Sequence, residues 1–202
     1  MPTFSYRHEV YRKLIHLSSL WMAAAIYFLA QNEALVLFAV AAVAVLSYEV
    51  IRRQDNAVAR LLEKILGAAL RPDEKGKKFK PSGAIYMLIA AFLSTLLFPN
   101  LIAITAMSMM LTGDAAAALV GKRFGRVKVL NKSIEGSAAF FVVALATAAI
   151  IAASVPVATG YMYAATIAAA AATTVELVSK KLYIDDNLSV PLAAGSVMML
   201  LM

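Results

Sequence analysis

The chain has 202 residues, of which 62% are hydrophobic, with a mean hydropathy of +0.77 and a formal charge of +7. Its continuous Ala/Leu/Val/Ile runs are long enough to cross a hydrocarbon core of roughly 30 Å, and they lack the alternation of barrel strands. A water-soluble fold and a β-barrel are thereby excluded, leaving an all-α integral membrane protein whose helices satisfy their own backbone hydrogen bonds in lipid. Cysteine is absent, which removes disulfides, thiolate chemistry and Cys-ligated metal.

In chain order, a polar opening carrying Arg7, Arg12 and Lys13 leads into an apolar run at 14–30. No small-residue cleavage site follows that run, so it is expected to be a retained helix. Further spans are expected at 34–51, 83–98, 101–120, 137–153, 160–178 and 188–202, about seven in all. The connections at 31–33, 99–100 and 154–159 hold no Lys or Arg, while all 19 cations lie in the remaining segments. By the positive-inside rule those segments are cytoplasmic, which puts the N-terminus inside and the C-terminus outside. Residues 56–70 place Val58, Leu61, Leu62, Ile65, Leu66 and Ala69 at helical spacing, the pattern of an amphipathic helix at the interface. A charged loop follows it, suited to anionic headgroups or to covering a phosphorylated ligand. The expected organisation is one transmembrane catalytic domain over 1–202, with cytoplasmic loops at about 52–82, 121–136 and 179–187.

Residues 113–138 read GDAAAALVGKRFGRVKVLNKSIEGSA. Asp114 lies in an apolar helix, an expensive place for a carboxylate and therefore a functional candidate. Gly121 and Gly125 allow either close approach of backbone to ligand or close helix packing. Lys122, Arg123, Lys128 and Lys132 neutralise phosphate, and Asp114 with Glu135 can hold a divalent cation. No Walker A loop or dinucleotide fingerprint is present. Residue chemistry alone leaves a nucleoside triphosphate site beside an ordinary basic inner loop.

The series Asp114, Ala117, Gly121, Gly125, Lys132, Ser133, Glu135, Gly136, Ser137 and Ala138 resembles the CTP-binding signature of dolichol kinases, phytol kinases and CTP-dependent diacylglycerol kinases. The opening EVYRKLIHLSS, with Arg12, Lys13 and His16, is similar to that family's first helix. Tyr48 to Arg53 resembles its second, and VELVSKKLYIDDNLSVPL its closing element. The resemblance implies a Mg²⁺-dependent enzyme, or one using another divalent cation, that moves the γ-phosphate of CTP to the hydroxyl of a membrane lipid alcohol. Polyprenol, dolichol, a phytol-like alcohol and diacylglycerol are all admitted. The catalytic set it implies is Asp114, Lys132, Glu135 and Asp186, with metal on Asp114, Glu135 and Asp186 and the β- or γ-phosphate on Lys132. Gly121, Lys122, Arg123, Gly125, Lys128, Ser133, Gly136 and Ser137 would bind nucleotide. Arg12, His16, Glu49, Glu176 and Asn187 would line the lipid side or support the site. Asn131, where the family often has a second Lys, and a short spacer after Gly125 depart from the pattern.

The partners implied are CTP, a lipid alcohol and the bilayer; a homo-oligomer is compatible, and no nucleic acid is called for. The multi-pass protein would work at the cytoplasmic face of its membrane. Two other readings stand beside this one. A cytidylyltransferase acting on a lipid phosphate would use the same basic loop and metal, and a transporter would place its site near the midplane.

Overall fold

The computed structural model describes residues 6–52, 54, 81–130, 132–179, 181 and 184–202. The expected interfacial helix at 56–70 and most of the loop after it lie outside the described residues. Eight helices and one short hairpin are present among the described residues: α1 Tyr6–Ser18, α2 Trp21–Phe28, α3 Gln31–Ile51, α4 Gly83–Leu97, α5 Asn100–Phe124, β1 Lys128–Val129, β2 Lys132–Ser133, α6 Ile134–Ser154, α7 Tyr161–Val178 and α8 Asp186–Leu201.

Four helices, α3, α5, α6 and α7, are long and apolar enough to cross a membrane. This is a membrane protein. α4 and α8, with 15 and 16 residues, are apolar but shorter. α5 forms the centre: 67% of its most apolar window is buried, against 17% in α3 and 22% in α6, which leave most of their surface for lipid. α5 packs on α6, α8, α1 and α2, while α7 joins α6 to α8. Small residues permit this closeness. Ala103, Ala106, Ala144, Ala148, Ala165, Ala168 and Ala172 are all buried in the core, as van der Waals packing between helices in lipid favours.

Two expectations are corrected. The run at 14–30 is not one helix, because the chain breaks at Ser19 and Leu20, whose N–H groups donate to the carbonyls of His16 (3.1 Å) and Leu17 (3.0 Å). α1 carries Arg7, Glu9, Arg12 and Lys13, a composition that docks a polar face on protein. α2 has only 8 residues, about 12 Å at 1.5 Å per residue. The second correction concerns 121–136, where an open loop was expected. α5 runs on to Phe124, α6 begins at Ile134, and between them β1 and β2 pair antiparallel, Lys128 opposite Ser133 and Val129 opposite Lys132. Asp114 is therefore not at the end of its helix, since α5 continues ten residues past it.

Caps in the sequence account for the starts of two helices that carry the site. Ser133, in extended conformation, accepts a hydrogen bond from Gly136 N at 3.1 Å and starts α6. Asp185 accepts from Asn187 N at 3.0 Å and starts α8. Both supply side-chain acceptors to otherwise unpaired first-turn N–H groups.

Candidate active site

At one end of the bundle three carboxylates from three helices meet. Asp114 of α5, Glu176 near the end of α7 and Asp186 at the start of α8 each present an oxygen within 4.8 Å of the other two. Isolated carboxylates so close repel, and buried ones require cations. Lys132, brought in by β2, donates to Glu176 Oε1 at 2.5 Å, to the Glu176 carbonyl at 2.6 Å and to Asp186 Oδ2 at 3.2 Å. Those three contacts engage every proton of its ammonium. Burial alone would lower the pKa of Lys132, but Asp186 and Glu176 outweigh it and hold the group above the ordinary lysine value. Lys13, from α1, donates to Asp114 Oδ2, and His16 Nε2 lies 3.2 Å from the same oxygen.

The cluster is not sealed from its surroundings. Asp114, Asp186 and Lys132 keep 15%, 14% and 13% of their side-chain surface, whereas Glu176 keeps 5% and Lys13 2%. Among the described residues, Glu176 Oε2 and His16 Nε2 are buried without a hydrogen-bond partner. Oxygen donors from three directions, one of them an unsatisfied buried carboxylate oxygen, suit a hard divalent cation.

The other candidates take different places. Glu135 is not among the three. Its Oε1 accepts from the backbone N–H of Arg126 (3.0 Å) and Val127 (3.2 Å), tying the loop after α5 to the start of α6. Gly121, Gly125 and Gly136 close around Ser133 rather than around an open loop. A Cβ at Gly121 would lie 2.9 Å from Ser133 Oγ, one at Gly125 2.8 Å from Ser133 Cβ, and one at Gly136 2.8 Å from the Ala117 carbonyl. The packing role of these glycines is thus explicit. Lys122 Nζ lies 3.8 Å from Glu9, Arg123 stacks over Tyr6 and Phe124, and Lys128 is exposed on the hairpin. Ser137, half-buried, follows in the first turn of α6.

Arg12 turns to Glu9 on its own helix rather than to the carboxylates. Glu49 is fully buried and accepts from Ser82 N at 2.8 Å, joining the end of α3 to the start of α4. Asn187 is buried at the head of α8, with its amide donating to Asp185. Of Arg12, Lys13 and His16, which share the first helix, Lys13 and His16 reach Asp114 together while Arg12 does not. The separation of Lys13 from His16 by three residues, which puts them on one helical face, was the available signal.

Over 194 residues the chain is 31% identical to an uncharacterized protein of Rickettsia prowazekii, covering 96% of this chain and 94% of that protein. The chain belongs to that protein's family. Two distant homologues are lipid kinases. A probable chloroplastic phytol kinase of Triticum aestivum is 35% identical over 132 residues, 59% of this chain and 44% of that one. CTP-dependent diacylglycerol kinase 1 of Schizosaccharomyces pombe is 26% identical over 144 residues, 69% of this chain and 65% of that one. The chain thus spans less than two thirds of either kinase. No family model matches it, and neither does any solved structure.

Proposed function

We propose that the protein is a membrane kinase that transfers the γ-phosphate of CTP to the hydroxyl of a lipid alcohol at the cytoplasmic face, with polyprenol, dolichol, a phytol-like alcohol or diacylglycerol as acceptor. The observation that carries the reading is the meeting of Asp114, Glu176 and Asp186, with Lys132 bound to the last two and Lys13 to the first. The kinases among its homologues support it. Asp114, Glu176 and Asp186 would hold Mg²⁺ or another divalent cation, which when bound neutralises charge on the phosphate chain.

Phosphoryl transfer asks the protein for position and electrostatics more than for covalent chemistry. Lys132 holds two of the carboxylates in fixed orientation through its three contacts. Asp114 and Asp186, the two carboxylates that reach the surface, are in position to accept the proton of the attacking hydroxyl. The lipid oxygen forms a bond to the γ-phosphorus, the bond from that phosphorus to the bridging oxygen breaks, and CDP leaves with the electron pair. The cations of α5 and the hairpin, Lys122, Arg123 and Lys128, draw the anionic donor to this end of the bundle. For the topology we keep seven crossings with the N-terminus inside, the first made jointly by the end of α1 and α2 across the break at Ser19 and Leu20, a reading supported by the placement of all 19 cations.

Purified protein given lipid alcohols, and in parallel the corresponding lipid phosphates, with CTP labelled in the α or the γ position tests this directly. Label from the γ position is expected on the lipid, and α label is expected to stay on CDP. Transfer of α label would mean a cytidylyltransferase, and preference for ATP would remove CTP as donor.

A further inference from the structure

The two ammonium groups of the cluster are held in unlike ways. Lys132 is tied by three contacts to two carboxylates and a carbonyl. Lys13 hydrogen-bonds Asp114 alone among the described residues, with Glu9 one turn back on α1 as a second anion near it, yet its side chain is 2% exposed. A lysine so buried persists only while an anion answers it. A divalent cation drawn to Asp114 therefore meets a positive charge already in place, with His16 Nε2 3.2 Å from the same oxygen.

We propose that Lys13 is the exchangeable counter-cation of this centre: it holds Asp114 until a divalent cation displaces it, and then transfers to the phosphates of the incoming nucleotide. This rests on the metal and triphosphate reading given above and adds the residue that couples the two ligands. Displaced without nucleotide, the buried ammonium loses its hydrogen-bonded anion and keeps only Glu9, one turn back on α1, which disfavours metal binding by itself. With nucleotide present, the phosphates take over the neutralisation that Asp114 had supplied. Cation and triphosphate then bind with positive coupling, and Lys13 carries that coupling.

The test is Mn²⁺ binding, followed by the resonance of the free ion, in the wild-type protein and in Lys13→Met, with and without CTP and in the absence of lipid alcohol. Lys13→Met is expected to bind Mn²⁺ alone at least about fivefold more tightly, and the gain in Mn²⁺ affinity brought by CTP is expected to shrink by a similar factor. Disturbed packing would weaken the ion's binding, not tighten it. Unchanged or weaker Mn²⁺ binding in Lys13→Met, with the CTP effect intact, overturns the exchange and leaves the metal site standing. Absence of Mn²⁺ binding in both proteins, even with CTP, overturns the metal reading together with the exchange. Reductive methylation of the wild-type protein gives a measure that needs no folded variant. Mg²⁺ alone is expected to speed modification of Lys13, and CTP added with it to slow that modification again; indifference of Lys13 to Mg²⁺ where Mn²⁺ binds counts against the exchange.

Discussion

Asn in place of Asp114 removes one of three carboxylates and leaves the buried ammonium of Lys13 without its partner. Transfer in Asp114→Asn is expected to fall at least about a hundredfold, the scale on which removing one electrostatic contact acts in a dry site. Stability should fall as well, by about 3 kcal/mol, because breaking one side of a buried pair strands the other. The double variant Lys13→Met with Asp114→Asn has no stranded charge, so denaturant unfolding should show stability recovered while transfer stays lost. Lys132 gives a pH signature. Its pKa is raised above 10.5 in the folded protein, so its contribution is full below 10.5 and disappears as pH rises through the higher folded value. The stability gap between wild type and Lys132→Gln should therefore be flat from neutral pH to about 10 and close only beyond it, as thermal unfolding across that range would record.

At the scale of elements, the turn between α5 and α6 is built by contacts within the chain. Gly121, Gly125 and Gly136 let α5 and the start of α6 approach around Ser133, which also caps α6. Gly136→Ala would drive a methyl against the Ala117 carbonyl at 2.8 Å. A backbone atom cannot swing away, so a loss of about 1–3 kcal/mol is expected in unfolding experiments. Lys132, on the strand beside this contact, would lose its register with Glu176 and Asp186, so transfer should fall along with stability. The signature series of the sequence thus holds in place a lysine that reaches two other helices.

Over the whole molecule, the charge-free connections at 99–100 and 154–159 and the cationic segments define two ends. Because the protein contains no cysteine, single cysteines report topology cleanly. A cysteine at Lys128 should react with an impermeant reagent only from the cytoplasmic side, and one at Thr159 only from the opposite side. Both positions are exposed, and reaction of both from one side would refute the proposed arrangement.

Hydropathy and charge placement were enough to read a helical membrane protein, because each residue pays its transfer energy locally and the tally needs no partner. Asp114 stood out as an ionisable group among apolar neighbours, whereas the roles of Lys132 and the glycines came only from the resemblance to lipid-alcohol kinases. Which carboxylates meet was legible only in part: the resemblance grouped Asp114 with Asp186 but set Glu135 where the structure brings Glu176. Glu176 and Asp186 lie 62 and 72 positions beyond Asp114 in the chain, and their approach depends on how α5, α7 and α8 pack, a property of facing surfaces that no local pattern encodes. Glu135 belongs by sequence to the motif, yet folding spends it on the backbone of Arg126 and Val127, while Lys13 reaches Asp114 through the packing of α1 on α5. Composition decided the solvent the protein lives in; only the packing of helices decided which charges face one another.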